Sequence, residues 1–329
     1  MNIQITSAQK PKQKRHARFH QPGVVYHVLS KTIRGEFLLA PKKDVTRLCA
    51  GVVARAQKNW PAVKLYGFAF MSNHFHIMVS GTNFYDISGF VGFIKREISR
   101  RLGEKYKLSG PFWNERFVST ALPTNESQEK CLSYILSQGV KENLVSHPCD
   151  WPGLHCAKAL LKGASISGGW FKSTQYKVAQ RNQARSKKPK KKVLKRDFYD
   201  EMQINLAPIP AWERLSEKER HRRCTNMVKV IVESARKRQG RVRTKVLGKK
   251  KVISTPISKR QPPPKPPWWE ERRRQITAWA KTRDVLTKKY LQLYWAFQEA
   301  FRIASGCLKR HEEAHFPEGA WVPAHHRNT

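Results

Sequence analysis

The stretch AVKLYGFAFMSNHFHIMVS, residues 62–80, decides the fold. Two apolar runs are separated here by a short polar turn, which is typical of two antiparallel strands. Side chains alternate between the two faces of a strand, so His74 and His76 share one face while Phe75 and Ile77 share the other. The stretch therefore predicts a hairpin that packs its apolar face against helices and leaves two imidazoles side by side on the open face of the sheet.

On both sides of this hairpin, from Gly23 to about Leu160, the apolar period changes in the orderly way expected of a folded domain. Strand patterns occupy 24–30 and 115–122, and helical spacing occupies 42–59, 85–102 and 126–138. The resulting order is β-α-β-β-α-β-α. This order predicts an α+β fold, a ferredoxin-like antiparallel sheet with helices on one face.

Beyond Lys162 the composition changes. The runs KKPKKK at 187–192 and QPPPKPP at 261–267 cannot pack a core, so they predict linkers near 183–196 and 240–268. Helical spacing returns at 212–238 and 276–304. We therefore expect three parts: a basic N-terminal arm of residues 1–18, the α+β domain of residues 19–165, and a basic, mostly helical accessory region of residues 166–329.

The chain carries a formal charge of +40, from 64 Lys and Arg against 24 Asp and Glu among 329 residues. The net charge is +14 before residue 163 and +26 after it. A field of this size attracts a polyanion, although a solvated basic tail is the alternative. No apolar run approaches the roughly 18 to 20 residues of a membrane helix, and the N-terminus lacks the apolar segment of a secretion signal. We expect a cytoplasmic protein that binds nucleic acid and has no membrane partner.

Two histidines on one strand face are a weak sign of a metal site, since one divalent ion could accept a nitrogen from each. The helix predicted at 126–138 strengthens it, because Tyr134 and Gln138 lie one turn apart on the side opposite its Leu and Ile residues. Tyrosine has a reference pKa of about 10 and needs a cation to polarise its target. A glutamine oxygen suits a hard ion such as Mg²⁺ or Mn²⁺. The pattern thus makes His74, His76 and Gln138 candidate metal ligands and Tyr134 a candidate reactive group, with an ordinary amphipathic surface tyrosine as the alternative.

At these residues the sequence resembles a known family. HFH within MSNHFHIMV is similar to the His-hydrophobic-His signature of the HUH endonucleases, and residues 16–165 resemble the REP-associated tyrosine transposases of the IS200-like family. Four segments follow the family's order: GVVYHVLSKTIRGEFLL (23–39), MSNHFHIMV (71–79), FWNERFVS (112–119) and SYILSQGVKENLVSHPCDWPGL (133–154). GGWF at 168–171 and FPEG at 316–319 resemble longer members with a C-terminal extension.

The resemblance implies a metal-dependent single-strand DNA endonuclease and strand transferase that acts on hairpin-forming repeats. Carried over residue by residue, it makes His74 and His76 the metal ligands and Tyr134 the nucleophile that forms a 5′-phosphotyrosine. Most relatives have Asn-Pro where this chain has Gln138 and Gly139. Related single-strand transposases use Gln as the third ligand, and glycine can end a helix without proline.

Other expectations concern the surroundings of this site. Arg116 and Trp113 are candidates for holding a phosphate and stacking a base, or else form a solvated arginine beside a structural tryptophan. His27 either approaches the site or is a packed strand histidine, and packing is favoured. The alternative function is a non-catalytic, domesticated protein that binds DNA hairpins. A zinc-dependent hydrolase is less favoured because the sequence lacks an acidic partner of the HExxH kind. No nucleotide cofactor is expected, and both a monomer and a homodimer stay open.

Overall fold

A four-stranded antiparallel sheet lies at the centre of the computed structural model, which describes residues 16–185, 192–242, 244–258, 278 and 284–322. The elements around it are β1 (Val25–Lys31), α1 (Lys43–Asn59), β2 (Lys64–Phe70), β3 (His74–Ser80), α2 (Asp86–Tyr106) and β4 (Val118–Leu122). The strand order is β2-β3-β1-β4, and every pairing is antiparallel. This is the ferredoxin-like arrangement, so the predicted fold class is confirmed.

The pairing of β1 with β3 determines what surrounds the two strand histidines. Lys31 lies opposite His74, and Leu29 lies opposite His76. Directly opposed residues of antiparallel strands project from the same face of the sheet. Because side chains alternate along β1, His27 projects from this face as well. The central strand therefore supplies an imidazole and an ammonium group beside His74 and His76.

The apolar face of β3 packs toward α2, as predicted. The ring of Trp113 lies 5.4 Å from that of Phe75, and its Nε1 donates to the carbonyl of Lys95 in α2 at 3.0 Å. Helices α1 and α2 pack against each other, with the ring of Trp60 5.5 Å from that of Phe93. These two helices form the layer on this side of the sheet.

A third helix, α3 (Asn125–Leu136), covers the histidine face, so the expectation that this face is open is wrong. The helix begins at a capping box, in which the Thr124 side chain accepts from the Ser127 N–H and the Ser127 hydroxyl accepts from the Thr124 N–H. Its Leu132 packs so closely on Gly67 of β2 that a Cβ there would lie 3.2 Å from Leu132 Cδ1. The apolar stripe of α3 needs a partner, and α1 and α2 already occupy the other face.

The accessory region contains a strand pair that the sequence did not predict. Strands β5 (Ile166–Phe171) and β6 (Tyr199–Ile204) form an antiparallel hairpin that packs on α1. The contact is backbone to backbone: a Cβ added to Gly168 would lie 2.1 Å from the Gly51 nitrogen. Two glycines facing each other therefore permit this close approach.

Five further α-helices follow in the described part of the chain, and all but the first lie beyond residue 165. They are α4 (Ala157–Lys162), α5 (Ser173–Arg185), α6 (Glu217–Val242), α7 (Lys249–Ser254) and α8 (Val285–Lys309). Helix α6 and the turn before it brace α3 from outside. Gln128 Oε1 accepts from the Ala211 N–H at 3.1 Å, and the Glu129 carboxylate accepts from Arg223 at 2.9 Å.

Two predicted segments of the accessory region overlap described elements. The helix expected at 276–304 runs from Val285 to Lys309 in the described residues. The linker expected near 240–268 includes residues 244–258, which make main-chain hydrogen bonds to residues 37, 143 and 144 and include α7. The two runs that suggested linkers fall almost wholly on residues 186–191 and 259–277, outside the described part of the chain. None of the helices within the described residues is both long and apolar enough to cross a membrane.

Candidate metal and nucleophile site

His74 and His76 stand side by side at the start of β3. Their ring centroids are 4.9 Å apart, and the rings meet edge to face. His76 is buried, with 2% of its surface exposed, whereas His74 is half-buried at the edge of the site. The alternation predicted from the sequence therefore brings the two imidazoles together.

Both imidazoles are held through Nδ1. The Nδ1 of His74 lies 2.7 Å from Asn73 Oδ1, and the Asn73 amide nitrogen donates to the Gly35 carbonyl, which fixes Oδ1 as the acceptor. The Nδ1 of His76 lies 2.9 Å from Nε2 of His27 within the buried interior. When Nδ1 carries the proton, the Nε2 lone pair is available to an ion. Such anchoring by neighbouring residues is what a metal-binding histidine requires.

The environment keeps these imidazoles neutral. Burial, followed by the charges of Lys31 and Lys141, lowers the pKa of His74 to about 4, and the Gln138 side chain acts in the opposite direction. Burial and then Lys141 lower the pKa of His27 to about 4. Burial also places the pKa of His76 well below its ordinary value. Neutral imidazoles at pH 7 retain the lone pairs that a metal ion needs.

Tyr134 extends from α3 over this cluster. Its ring lies 5.3 Å from that of His76 and 6.0 Å from that of His27, edge to face in both cases. The Nζ of Lys141 lies 3.8 Å from the centroid of the same ring. A phenol, two strand histidines and an ammonium group therefore meet at one place.

Gln138 lies in the turn that follows α3, not on its last helical turn as the sequence suggested. The helix ends at Leu136, and Gly139 adopts the left-handed conformation with φ of 83°. The Gly139 N–H donates to the Glu142 carboxylate at 2.6 Å, which holds the turn. A glycine in the left-handed conformation thus ends the helix.

The Gln138 side chain is fully buried, with 0% of its surface exposed. Its Nε2 donates to the Tyr134 carbonyl at 3.1 Å. Its Oε1 faces the His74 side but makes no hydrogen bond of ordinary geometry with any described residue. A buried amide oxygen without a partner costs stability and calls for an explanation.

A divalent ion fits this donor set. The Nε2 atoms of two neutral histidines are ligands for divalent transition metals, and the unpaired oxygen of Gln138 suits a hard ion such as Mn²⁺ or Mg²⁺. No group of three His, Cys, Asp or Glu side chains suited to a metal ion occurs among the described residues. His74, His76 and Gln138 are therefore the residues that would hold the ion.

Trp113 and Arg116 lie away from this cluster and have other partners. Trp113 is half-buried against Phe75 and α2, as described above, and Lys95 Nζ lies 5.3 Å from its ring. Arg116 is exposed and donates to the His16 carbonyl at 3.1 Å. Their role in nucleic-acid binding stays a prediction.

Sequence reasoning missed two members of the site, Lys31 and Lys141, and favoured only the packing role of a third, His27. His27 was expected to be a packed residue, and it is buried, yet it also holds His76. Lys31 and Lys141 were not singled out. The alternation of β1 could have placed His27 and Lys31 on one face, but only the register with β3 brings that face to the histidines.

Comparison with known proteins adds a family match. Residues 23–138 match the family model described as "Transposase IS200 like". The chain is similar to a solved REP-associated tyrosine transposase bound to a REP hairpin, at 16% identity and a TM-score of 0.38, over 46% of this chain and 87% of that one. It is also similar to a candidate transposase from Deinococcus radiodurans R1, at 15% identity and a TM-score of 0.27, over 40% and 98% of the two chains. No curated protein matches the sequence.

Proposed function

We propose, from the match of residues 23–138 to the IS200-like transposase family model, that this protein is a metal-dependent single-strand DNA endonuclease and strand transferase that acts through Tyr134. The family match supports the proposal of a DNA-cleaving enzyme. The observation that supports the finer proposal is the meeting of Tyr134 with His76 beside the unpaired, buried oxygen of Gln138.

In the proposed reaction, the Tyr134 hydroxyl attacks a phosphodiester of single-stranded DNA. A bond forms between the phenolic oxygen and phosphorus while the bond from phosphorus to the 3′-oxygen breaks. The phenol loses its proton, and the departing 3′-oxygen gains one. A 5′-phosphotyrosine and a free 3′-OH result, so a second 3′-OH can reverse the step and join strands without an external energy source.

Each neighbouring residue has a proposed part in this step. When bound by His74, His76 and Gln138, a divalent ion would polarise the scissile phosphate. His27 orients His76 through the hydrogen bond between their rings. The Lys141 ammonium, beside the Tyr134 ring, is placed to attract the phosphate toward the phenol.

The proposed substrate is hairpin-forming repeat DNA with a single-stranded flank, which rests on the motifs shared with the REP-associated tyrosine transposases. The accessory region beyond residue 165 is proposed to add cationic contacts to this DNA. We also propose a location in the cytoplasm, where such DNA is accessible.

A covalent-adduct assay tests the proposal. Wild-type protein with Mn²⁺ and a hairpin oligonucleotide labelled at its 3′ end should give a labelled protein band on a denaturing gel. Tyr134→Phe should give none, while Tyr176→Phe, a substitution on the distant helix α5, should behave as wild type. An undiminished adduct in Tyr134→Phe would remove the nucleophile assignment. DNA binding by the wild type without any adduct would favour the non-catalytic hairpin-binding alternative.

A further inference from the structure

Residues 244–258, which we call the docked segment, lie against the candidate metal site although they are more than a hundred residues beyond it in the chain. The Leu247 N–H donates to the Asn143 carbonyl at 2.8 Å, and the Gly248 N–H donates to the Leu144 carbonyl at 3.0 Å. Asn143 and Leu144 belong to the chain that continues from Gln138. The docked segment therefore touches the same stretch that carries the proposed third ligand.

The other end of the docked segment reaches the opposite side of the site. The Phe37 N–H donates to the carbonyl of Ile257 at 3.1 Å, and Val252 is buried. A small cavity of about 70 Å³ is lined by His74 together with Leu144, Leu247 and Val252. The docked segment thus forms a wall directly beside His74.

The position of this wall is fixed. Asn143, in the left-handed conformation with φ of 56°, donates from Nδ2 to the Thr244 hydroxyl at 3.2 Å and accepts at Oδ1 from Gln239 of α6 at 3.1 Å. A solvated basic tail would have neither main-chain hydrogen bonds nor a buried valine. These contacts therefore distinguish the docked segment from a charge run that only aids solubility.

The wall is strongly cationic. Residues 244–258 contain four Lys residues and no acidic residue. Lys245, Lys249, Lys250 and Lys251 are all exposed, and none has an acidic partner within ion-pair distance among the residues that the structure describes. Lys141 in the site does have one, since its Nζ lies 3.4 Å from the Glu142 carboxylate. Free ammonium groups beside the site need a counter-charge that the described protein does not provide.

We propose that the docked segment is a phosphate clamp, which binds the backbone of the single DNA strand that enters the site past His74. This inference rests on the proposed function and names where the substrate lies. Lysines bind phosphates as point charges without reading bases, so the clamp adds affinity and salt dependence but no sequence preference.

The test is DNA binding without chemistry. Tyr134→Phe protein in EDTA is titrated with a fluorescent hairpin oligonucleotide that carries a single-stranded flank, by anisotropy at several salt concentrations from 50 to 200 mM. Each lost phosphate contact to a single strand lowers the slope of log affinity against log salt by about 0.7. Lys249→Ala/Lys250→Ala/Lys251→Ala should therefore reduce the slope by about 1 to 2 and weaken binding on the order of tenfold or more at 0.1 M salt.

Two matched variants complete the design. Lys288→Ala/Lys289→Ala/Lys309→Ala removes three exposed charges from α8, which packs elsewhere, and should keep the wild-type slope. Lys249→Arg/Lys250→Arg/Lys251→Arg should also preserve the slope, because these substitutions retain the charge. Thermal unfolding checks that the alanine variant stays folded, as expected for exposed side chains.

The outcomes separate the clamp from the proposed function. Equal losses in the α7 and α8 variants would overturn the clamp, because only net charge would then matter. Wild-type affinity in the α7 variant would also overturn it. If the parent protein fails to bind DNA at all, the proposed function fails, whatever the lysines do.

Discussion

Replacing Gln138 by methionine separates two effects of the unpaired amide: the fold stability it removes without metal, and the metal binding it supports. Gln138 is fully buried, and its Oε1 has no hydrogen-bond partner among the described residues. An unpaired buried polar atom costs about 1–3 kcal/mol, whereas the single hydrogen bond from Nε2 contributes about 0.5–1.5 kcal/mol. Methionine has a similar size and no amide. Without metal, Gln138→Met should therefore be as stable as the wild type or more stable by about 1–2 kcal/mol.

Urea unfolding in EDTA, and then with Mn²⁺, measures both effects. A bound ion should stabilise the wild type by about 2.7 kcal/mol at a concentration one hundred times its Kd. Gln138→Met should gain much less, because it lacks one of three ligands. The matched control is Gln128→Met on α3. Gln128 is also buried, but both ends of its amide are hydrogen-bonded, to the Leu122 carbonyl and the Ala211 N–H, so its loss should destabilise the fold by about 1–3 kcal/mol.

Two results would refute this reasoning. If Gln138→Met in EDTA is destabilised as much as Gln128→Met, the amide oxygen has a partner that keeps it satisfied in the folded protein. If Mn²⁺ stabilises Gln138→Met as much as the wild type, Gln138 is not a ligand. Stability and metal binding are thus tested in one titration.

Three further predictions concern acid stability, packing and charge. Burial lowers the pKa of His20 to about 3, so the unfolded chain binds an extra proton below about pH 6.5, and stability should fall from pH 6.5 toward pH 4. His20→Gln should reduce that slope by up to about 1.4 kcal/mol per pH unit in urea titrations, and an unchanged slope would contradict it. Gly168→Ala would place a Cβ 2.1 Å from the backbone of α1 and should lower the free energy of unfolding by at least about 1–3 kcal/mol. Gly92→Ala on α2, with open space around it, should instead raise that free energy by up to about 1 kcal/mol, and equal effects would refute the packing argument. Lys141→Met should slow adduct formation by roughly tenfold or more, because the cation beside Tyr134 is removed. Metal binding should be kept or tightened, because that cation also lies beside the imidazoles. An unaltered rate of adduct formation would exclude a role for Lys141 in the reaction.

Much of the α+β domain follows from local sequence pattern. Helix α1, predicted at 42–59, spans Lys43–Asn59, and the second strand of the hairpin, predicted at 74–80, is β3. Periods of 3.6 and 2 are properties of neighbouring residues, so a single sequence contains them. The pair β5 and β6 was not predicted, because its packing on α1 depends on the close approach of Gly51 and Gly168, which are far apart in the sequence.

The candidate site was only partly predictable for the same reason. Alternation alone placed His74 and His76 on one face. The contact of His27 with His76 depends on a register between residues 49 positions apart, and the position of Tyr134 depends on which sheet face α3 covers. Both are outcomes of tertiary packing. The division of the chain at residues 18 and 165 stays a prediction, as does the nucleic-acid role of Trp113 and Arg116.

The contacts of α3 with Ala211 and Arg223 determine how much of the chain the proposed enzyme needs. Residues 23–138 hold the proposed ligands and the nucleophile, yet the outer side of the helix that presents Tyr134 is completed by Ala211 and Arg223. Those residues fix the helix against the sheet from a region beyond the family match. The smallest unit able to carry out the proposed reaction therefore includes the residues that pack on α3. A chain cut to residues 23–138 would keep Tyr134 and the proposed ligands but would lose the contacts that hold α3 in place.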